Sequence, residues 1–193
     1  DPDREGTSVT IRNNWVDVWI PGIGIDYKFS KVISSFAGVH KGFSPPGSKE
    51  GTLPEESINY ELGIRFHKRA LTGQAVVFLN DYSNLLGSDL AAAGGGGSND
   101  QYNGGEVQAM GVETQFTYNL LTRVSTRFNM PFTIVYTYTD AAFKSDFDSD
   151  FEGWGEVQAG DKLPYIAAHQ ASFLLGIENK TFGFSISGKL VDE

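Results

Sequence analysis

No cysteine occurs in the 193 residues, so disulfide staples and thiolate metal ligands are both excluded. That absence suits an envelope protein and a cytosolic one equally. No apolar run approaches the roughly 18 residues of a membrane-crossing helix, and the opening Asp1-Pro-Asp-Arg-Glu5 lacks the basic-then-apolar pattern of a signal peptide, which predicts a mature or trimmed start. Histidine is confined to His40, His67 and His169, with no two at ligand spacing, so neither a metal centre nor a catalytic triad is expected. Serines are many, but none sits in a Gly-x-Ser-x-Gly elbow, and the chain reads as no enzyme. Lysine and arginine are also short, 15 against 24 acids, and the resulting charge of −9 excludes nucleic acid as a partner.

What remains is glycine, at 23 residues, and aromatics, at 13%, set among Thr, Ser and Tyr at strand spacing, which predicts an all-β protein. The clearest stretch is 58–67. Ile58, Tyr60, Leu62, Ile64 and Phe66 fall on one parity; Asn59, Glu61, Gly63, Arg65 and His67 fall on the other. A dry sandwich core could not hold that second row without a partner for each group. About ten residues, oily on one side and charged on the other, is the pattern of a transmembrane β-barrel strand, although a soluble sheet with one solvated face would look the same locally.

Further strands are expected at 23–29, 32–43, 73–82, 112–119, 132–139, 171–177 and 182–190, eight in all. Their connections alternate. Short turns are expected at Ser30-Lys31, at Lys68 to Thr72, near Leu121 to Ser125 and at Glu178 to Thr181; long ones follow Phe43, Tyr82 and Thr139. The second long connection, Ser83 to Glu106, carries a tetraglycine at 94–97 and no apolar pattern to fold it. Its flanks continue the same composition, which favours a native loop over an engineered linker. Every long loop at one end is the habit of outer-membrane barrels, with short periplasmic turns and long external loops. Aromatics mark both ends: Tyr27, Phe29, Phe66, Tyr118 and Phe182 near the short turns, and Trp19, Phe43, Tyr82, Tyr136, Tyr138 and Tyr165 near the long loops.

Five ordered segments carry a family likeness: Gly38-Val-His-Lys-Gly-Phe-Ser-Pro-Pro46, Glu56-Ser-Ile-Asn-Tyr-Glu-Leu-Gly-Ile-Arg65, Asn80-Asp-Tyr-Ser-Asn-Leu-Leu-Gly87, Gly104-Gly-Glu-Val-Gln-Ala-Met-Gly-Val-Glu113 and Tyr136-Thr-Tyr-Thr-Asp-Ala-Ala-Phe143. Together they resemble the barrel of TonB-dependent outer-membrane receptors, in the ferric-citrate and siderophore branch. The resemblance implies a section, residues 1–193, of an antiparallel transmembrane barrel of about 22 strands with a plugged lumen. It also implies that the plug domain is absent from this chain, and that the end at Lys189 to Glu193 precedes the final strands. By the same resemblance the intact protein sits in the Gram-negative outer membrane among lipid and lipopolysaccharide, imports a ferric chelate, and is energised through its plug by the TonB–ExbB–ExbD complex.

Asn59, Glu61, Arg65, Glu113 and Gln115 are expected to face the lumen or a plug. Ligand contact is expected at the long-loop end, from His40, Lys41, Tyr82, Tyr138 and Trp154, where cations are few: Lys41, Lys49, Lys144 and Lys162 besides His40. Asp146, Asp148, Asp150 and Glu152 space four carboxylates two apart and form a candidate Ca²⁺ site, but Phe151 stands where an EF-hand needs glycine, so a solvated acidic loop is the first expectation. Two rivals stay open. One is a complete eight-strand barrel serving as an adhesin or structural protein, whose inward Gly22, Gly24, Gly63, Gly176 and Gly183 would leave voids; the other is a soluble all-β binding module.

Overall fold

The structure, a computed structural model, describes residues 17–46, 52–88, 101–125, 127–148 and 155–192. Trp154, Lys49, Asp150, Glu152 and the tetraglycine lie outside them. Twelve strands occur in order: β1 (Gly22–Lys28), β2 (Ile33–Ser44), β3 (Glu55–Lys68), β4 (Leu71–Ser83), β5 (Leu86–Ser88), β6 (Gln101–Asn103), β7 (Val107–Asn119), β8 (Pro131–Phe143), β9 (Phe147–Asp148), β10 (Glu156–Val157), β11 (His169–Glu178) and β12 (Gly183–Val191). Eight of them form one antiparallel sheet in the order β1-β2-β3-β4-β7-β8-β11-β12, a meander once the two short hairpins are set aside. Among the described residues β1 and β12 do not pair. The ribbon is open, so these strands do not make the closed eight-strand barrel that was one rival.

Register places the alternating residues on two continuous faces, because directly opposed residues of paired strands point the same way. Ile25, Ala37, Leu62, Val77, Val112 and Tyr138 form one row across six strands. Ile33, Phe66, Gly73, Phe116, Ile134 and Phe173 form another. Both rows belong to the apolar face, and nothing among the described residues covers it: Ile23 is 76% exposed, Leu62 57%, Phe184 62% and Leu190 71%. Leaving a large aliphatic or aromatic side chain in water forgoes about 1.5–3 kcal/mol. Over this face the loss reaches tens of kcal/mol, beyond the ~5–15 kcal/mol that stabilises a domain. The face is built for oil, and among the described residues no second sheet packs on it as a soluble sandwich would require.

Side-chain caps close the short connections. The Ser30 hydroxyl accepts from the Val32 and Ile33 amides, both at 3.1 Å, and Asn179 Oδ1 accepts from Thr181 and Phe182, both at 2.8 Å. Between β3 and β4 the chain reverses through Arg69 and Ala70, with Arg69 at φ 52°, the positive value that primed hairpin turns use. The third connection is longer than the expected Leu121 to Ser125, running from 120 to 130. Asn119 Oδ1 ties it by accepting from Leu121 at 3.2 Å and Met130 at 3.1 Å.

The long connections differ from expectation in being partly folded. β5 pairs with β6 inside the segment expected to be structureless, and β9 pairs with β10 inside the acidic one. Val107, Phe143 and Val157 are buried together, with Tyr82, Leu85, Phe147 and Leu163 packed around them. This is an apolar knot at the long-connection end, on the side of the polar face. Asn103 fastens a second place: its Oδ1 accepts from Leu53 N at 2.8 Å while Nδ2 donates to the carbonyls of Leu53 at 3.0 Å and Asn84 at 3.1 Å. Glu55 adds an acceptor for Leu86 N at 2.8 Å. The three long connections are therefore joined to one another, not hung separately.

Candidate functional site

The polar face carries the expected row. Asn59, Glu61, Arg65, Glu113 and Gln115 all share its parity, with Phe36, Val76 and Phe78 interspersed. Arg65 is the best-held member: its guanidinium meets Asp26 at 3.1 Å and lies 3.8 Å from the Phe36 ring centroid. That ring lies flat over Gly63, where any side chain would collide with it. Glu61 and Glu113, by contrast, have no ion-pair partner among the described residues, although both stand mid-strand with Val76 and Phe78 between them on β4. Lower on this face, Arg65, His67, Thr72, Gln74, Gln115 and Thr117 line an open groove near the short connections.

Toward the long connections the same face gathers hydrogen-bonding groups. His40 stands opposite Asn59, which stands opposite Asn80; Ser57 stands opposite Tyr82. Asn59 Nδ2 donates to Ser57 Oγ at 3.0 Å, and Asn80 and Tyr82 share a side-chain hydrogen bond. Gly42 admits this arrangement, since a Cβ there would strike Ser57 Oγ. Of the ligand residues expected from sequence, the structure thus brings His40 and Tyr82 onto one patch. Ser57 and Asn80 join it unforeseen, although their even spacing from Asn59 and Tyr82 was available as a signal.

Lys41 and Tyr138 stand on the opposite face. Adjacent residues of a strand point to opposite sides, so Lys41 cannot accompany His40; it pairs instead with Glu56 at 2.7 Å. Tyr138 lies against His169 with ring centroids 5.1 Å apart, and His169 Nδ1 meets the Tyr136 hydroxyl at 2.9 Å. Above the apolar band the ion pairs continue. Lys144 meets Asp81 at 2.8 Å with Glu106 at 4.0 Å, and Lys162 is bonded to Asp140. The hydrogen bonds to Asp81 and Asp140 hold the two ammonium groups above lysine's ordinary value. In the acidic connection, Asp146 Oδ1 accepts from Ala159 N at 2.7 Å and Asp148 stands opposite Glu156 in the β9–β10 pair. Among the described residues no three His, Asp or Glu side chains converge as a metal site.

Comparison with known proteins adds to this geometry. The family model described as TonB dependent receptor-like, beta-barrel, matches residues 2–190. Among solved structures, the chain is similar to the ferric citrate transporter FecA in its unliganded form, at 22% identity and a TM-score of 0.60, covering 89% of this chain and 25% of that one. The ferric yersiniabactin uptake receptor FyuA from Yersinia pestis matches at 19% identity and TM-score 0.57, over 88% of this chain and 25% of its own. The copper transporter OprC matches at 13% identity and TM-score 0.57, over the same shares of 88% and 25%. These likenesses concern the fold, and the chain spans about a quarter of the structures it matches.

Proposed function

Because the chain belongs to the TonB-dependent receptor β-barrel family, whose model matches it from residue 2 to residue 190, we propose that it is part of the barrel wall of an outer-membrane importer of ferric chelates. In this reading the apolar face meets lipid, the polar face lines the lumen, and the long connections face the exterior. The carrying observation is the eight-strand sheet whose apolar face and two edge strands are left open by the described residues, as a section of barrel wall requires.

The lumen wall divides by height. Near the exterior, His40, Ser57, Asn59, Asn80 and Tyr82 offer imidazole, hydroxyl and amide groups to a chelate, with binding by hydrogen bonds and no lysine or arginine in the patch. In mid-barrel, Glu61 and Glu113 have no ion-pair partner among the described residues, and a plug domain inside the barrel supplies cations to them. Through that plug the energised inner-membrane complex of TonB, ExbB and ExbD drives release; no covalent chemistry is required. A ferric siderophore or ferric citrate is the cargo class.

Deleting the full-length gene in its host and measuring radioactive iron uptake, chelate by chelate under iron starvation, tests this reading. Loss of uptake for one chelate, reproduced by removing TonB, is expected. Unchanged uptake of every ferric chelate, in cells shown to express the receptor, would overturn it.

A further inference from the structure

The distribution of cations along the barrel axis is lopsided. Toward the long-connection end exposed Lys189 of β12 has no ion-pair partner among the described residues, but the other described lysines are spent within the protein: Lys41 on Glu56, Lys144 on Asp81, Lys162 on Asp140. At the other end they are not. Lys28 and Lys31 flank the first short connection, Lys68 and Arg69 the second, Arg123 and Arg127 lie in the third, and Lys180 in the fourth. All seven are exposed, and none has an ion-pair partner among the described residues. The acids near them are two: Asp26, already committed to Arg65, and Glu178. In a chain of net charge −9, this rim is strongly basic among the described residues.

We propose that this short-connection rim binds the anionic headgroups of phospholipids in the inner leaflet of the outer membrane. The inference rests on the membrane reading above, which sets that rim at the periplasmic side. Three features favour a lipid layer over a single acidic peptide. The cations are strung across all four connections, hence across the whole width of the sheet, as a planar layer of charge requires. Lys68 shares the parity of the apolar face, so its stem can lie along lipid while the charged head reaches the headgroups, whereas Lys28 stands opposite Ser34 on the polar face. Beside them sit exposed aromatics suited to the same boundary: Tyr27, whose ring meets Phe29 edge-on at 4.9 Å, with Tyr118 and Phe182. A basic segment beside a bilayer gains attraction for anionic lipid with each Lys or Arg near the surface.

Full-length receptor placed in nanodiscs of phosphatidylcholine, with or without phosphatidylglycerol, provides the test. The lipids it retains are counted by native mass spectrometry. Enrichment of phosphatidylglycerol by about tenfold or more is expected for the wild type. A variant carrying K28Q, K31Q, K68Q, R69Q, R123Q, R127Q and K180Q should lose it, while a variant that exchanges the same lysines and arginines for one another should keep it. Equal enrichment in the wild type and the glutamine variant would overturn the proposal. So would displacement of phosphatidylglycerol by a poly-glutamate peptide, which would mark the rim as a peptide site. Insertion without lipid preference defeats this inference alone; failure of the wild type to insert into either disc defeats the membrane reading beneath it.

Discussion

Gly111 is where one added carbon should cost most. It lies on the polar face of β7, opposite Thr139 of β8, and a Cβ there would fall far inside contact distance of the Tyr138 carbonyl oxygen, with the Phe78 ring at 2.7 and 2.9 Å. A ring can swing away into the lumen. A carbonyl in the ladder cannot, because Tyr138 stands in register with Val112 next door, and moving it parts β7 from β8. Overpacking of this kind costs about 1–3 kcal/mol, and each ladder hydrogen bond lost adds about 1 kcal/mol. Gly111→Ala should therefore destabilise the barrel by about 2–4 kcal/mol. Urea unfolding of the full-length receptor in detergent measures it, with Gly183→Ala as the control: the nearest atom to a Cβ at Gly183 is 3.9 Å away, so a change within about 0.5 kcal/mol is expected there. If the two variants unfold at the same urea concentration, the close-approach argument is refuted.

Arg65→Gln removes both the Asp26 contact and the Phe36 stack, and since the arginine side chain is half exposed its unfolding penalty should be only about 1 kcal/mol, read in the same urea titration. Asn103→Ala cuts two hydrogen bonds between long connections and one within the second, so limited proteolysis should cleave those connections sooner while the melting temperature of the barrel stays put; a lowered barrel melting temperature would show that the fastening acts on the wall itself. A pH dependence follows from Lys144 and Lys162. Their folded values are raised, so their ion pairs hold below lysine's ordinary value and are lost as pH rises through the folded one. Amide exchange at 144–148 and 158–163 should therefore quicken in strongly alkaline buffer beyond its intrinsic pH dependence, and Lys144→Gln with Lys162→Gln should abolish that extra step.

Much of the wall was legible because hydropathy alternates wherever one face meets oil. All eight main strands were expected from that pattern, but the division into short and long connections is less clean than expected: the third short one spans 120–130, against 45–54 for the first long one. The strand ends do not follow from the pattern. β3 begins at Glu55 and β8 runs on to Phe143, past the residues where the pattern stops, because backbone pairing continues above the height at which the outer side chains are apolar. Glu56, Asp81 and Asp140 lie on the oily parity yet carry charge, so a reader of hydropathy ends the strand too soon. The knot of Val107, Phe143 and Val157 was hidden for another reason: its members are far apart in sequence and obey no period. Pairing His40 with Lys41 as one site treated neighbours as companions, which the pleat of a strand forbids.

The cross-linking of the long connections also bears on how this surface can be transplanted. A loop held only by its own two strands can be cut out and grafted onto a foreign barrel. Here Leu53 of the first connection is bonded to Asn103 of the second, and Phe147, Val157 and Leu163 of the third share one apolar cluster with Leu85 of the second. A chimaera intended to display this surface must carry all three segments as a single cassette. Moving one by itself would leave both donor and host with a torn seam.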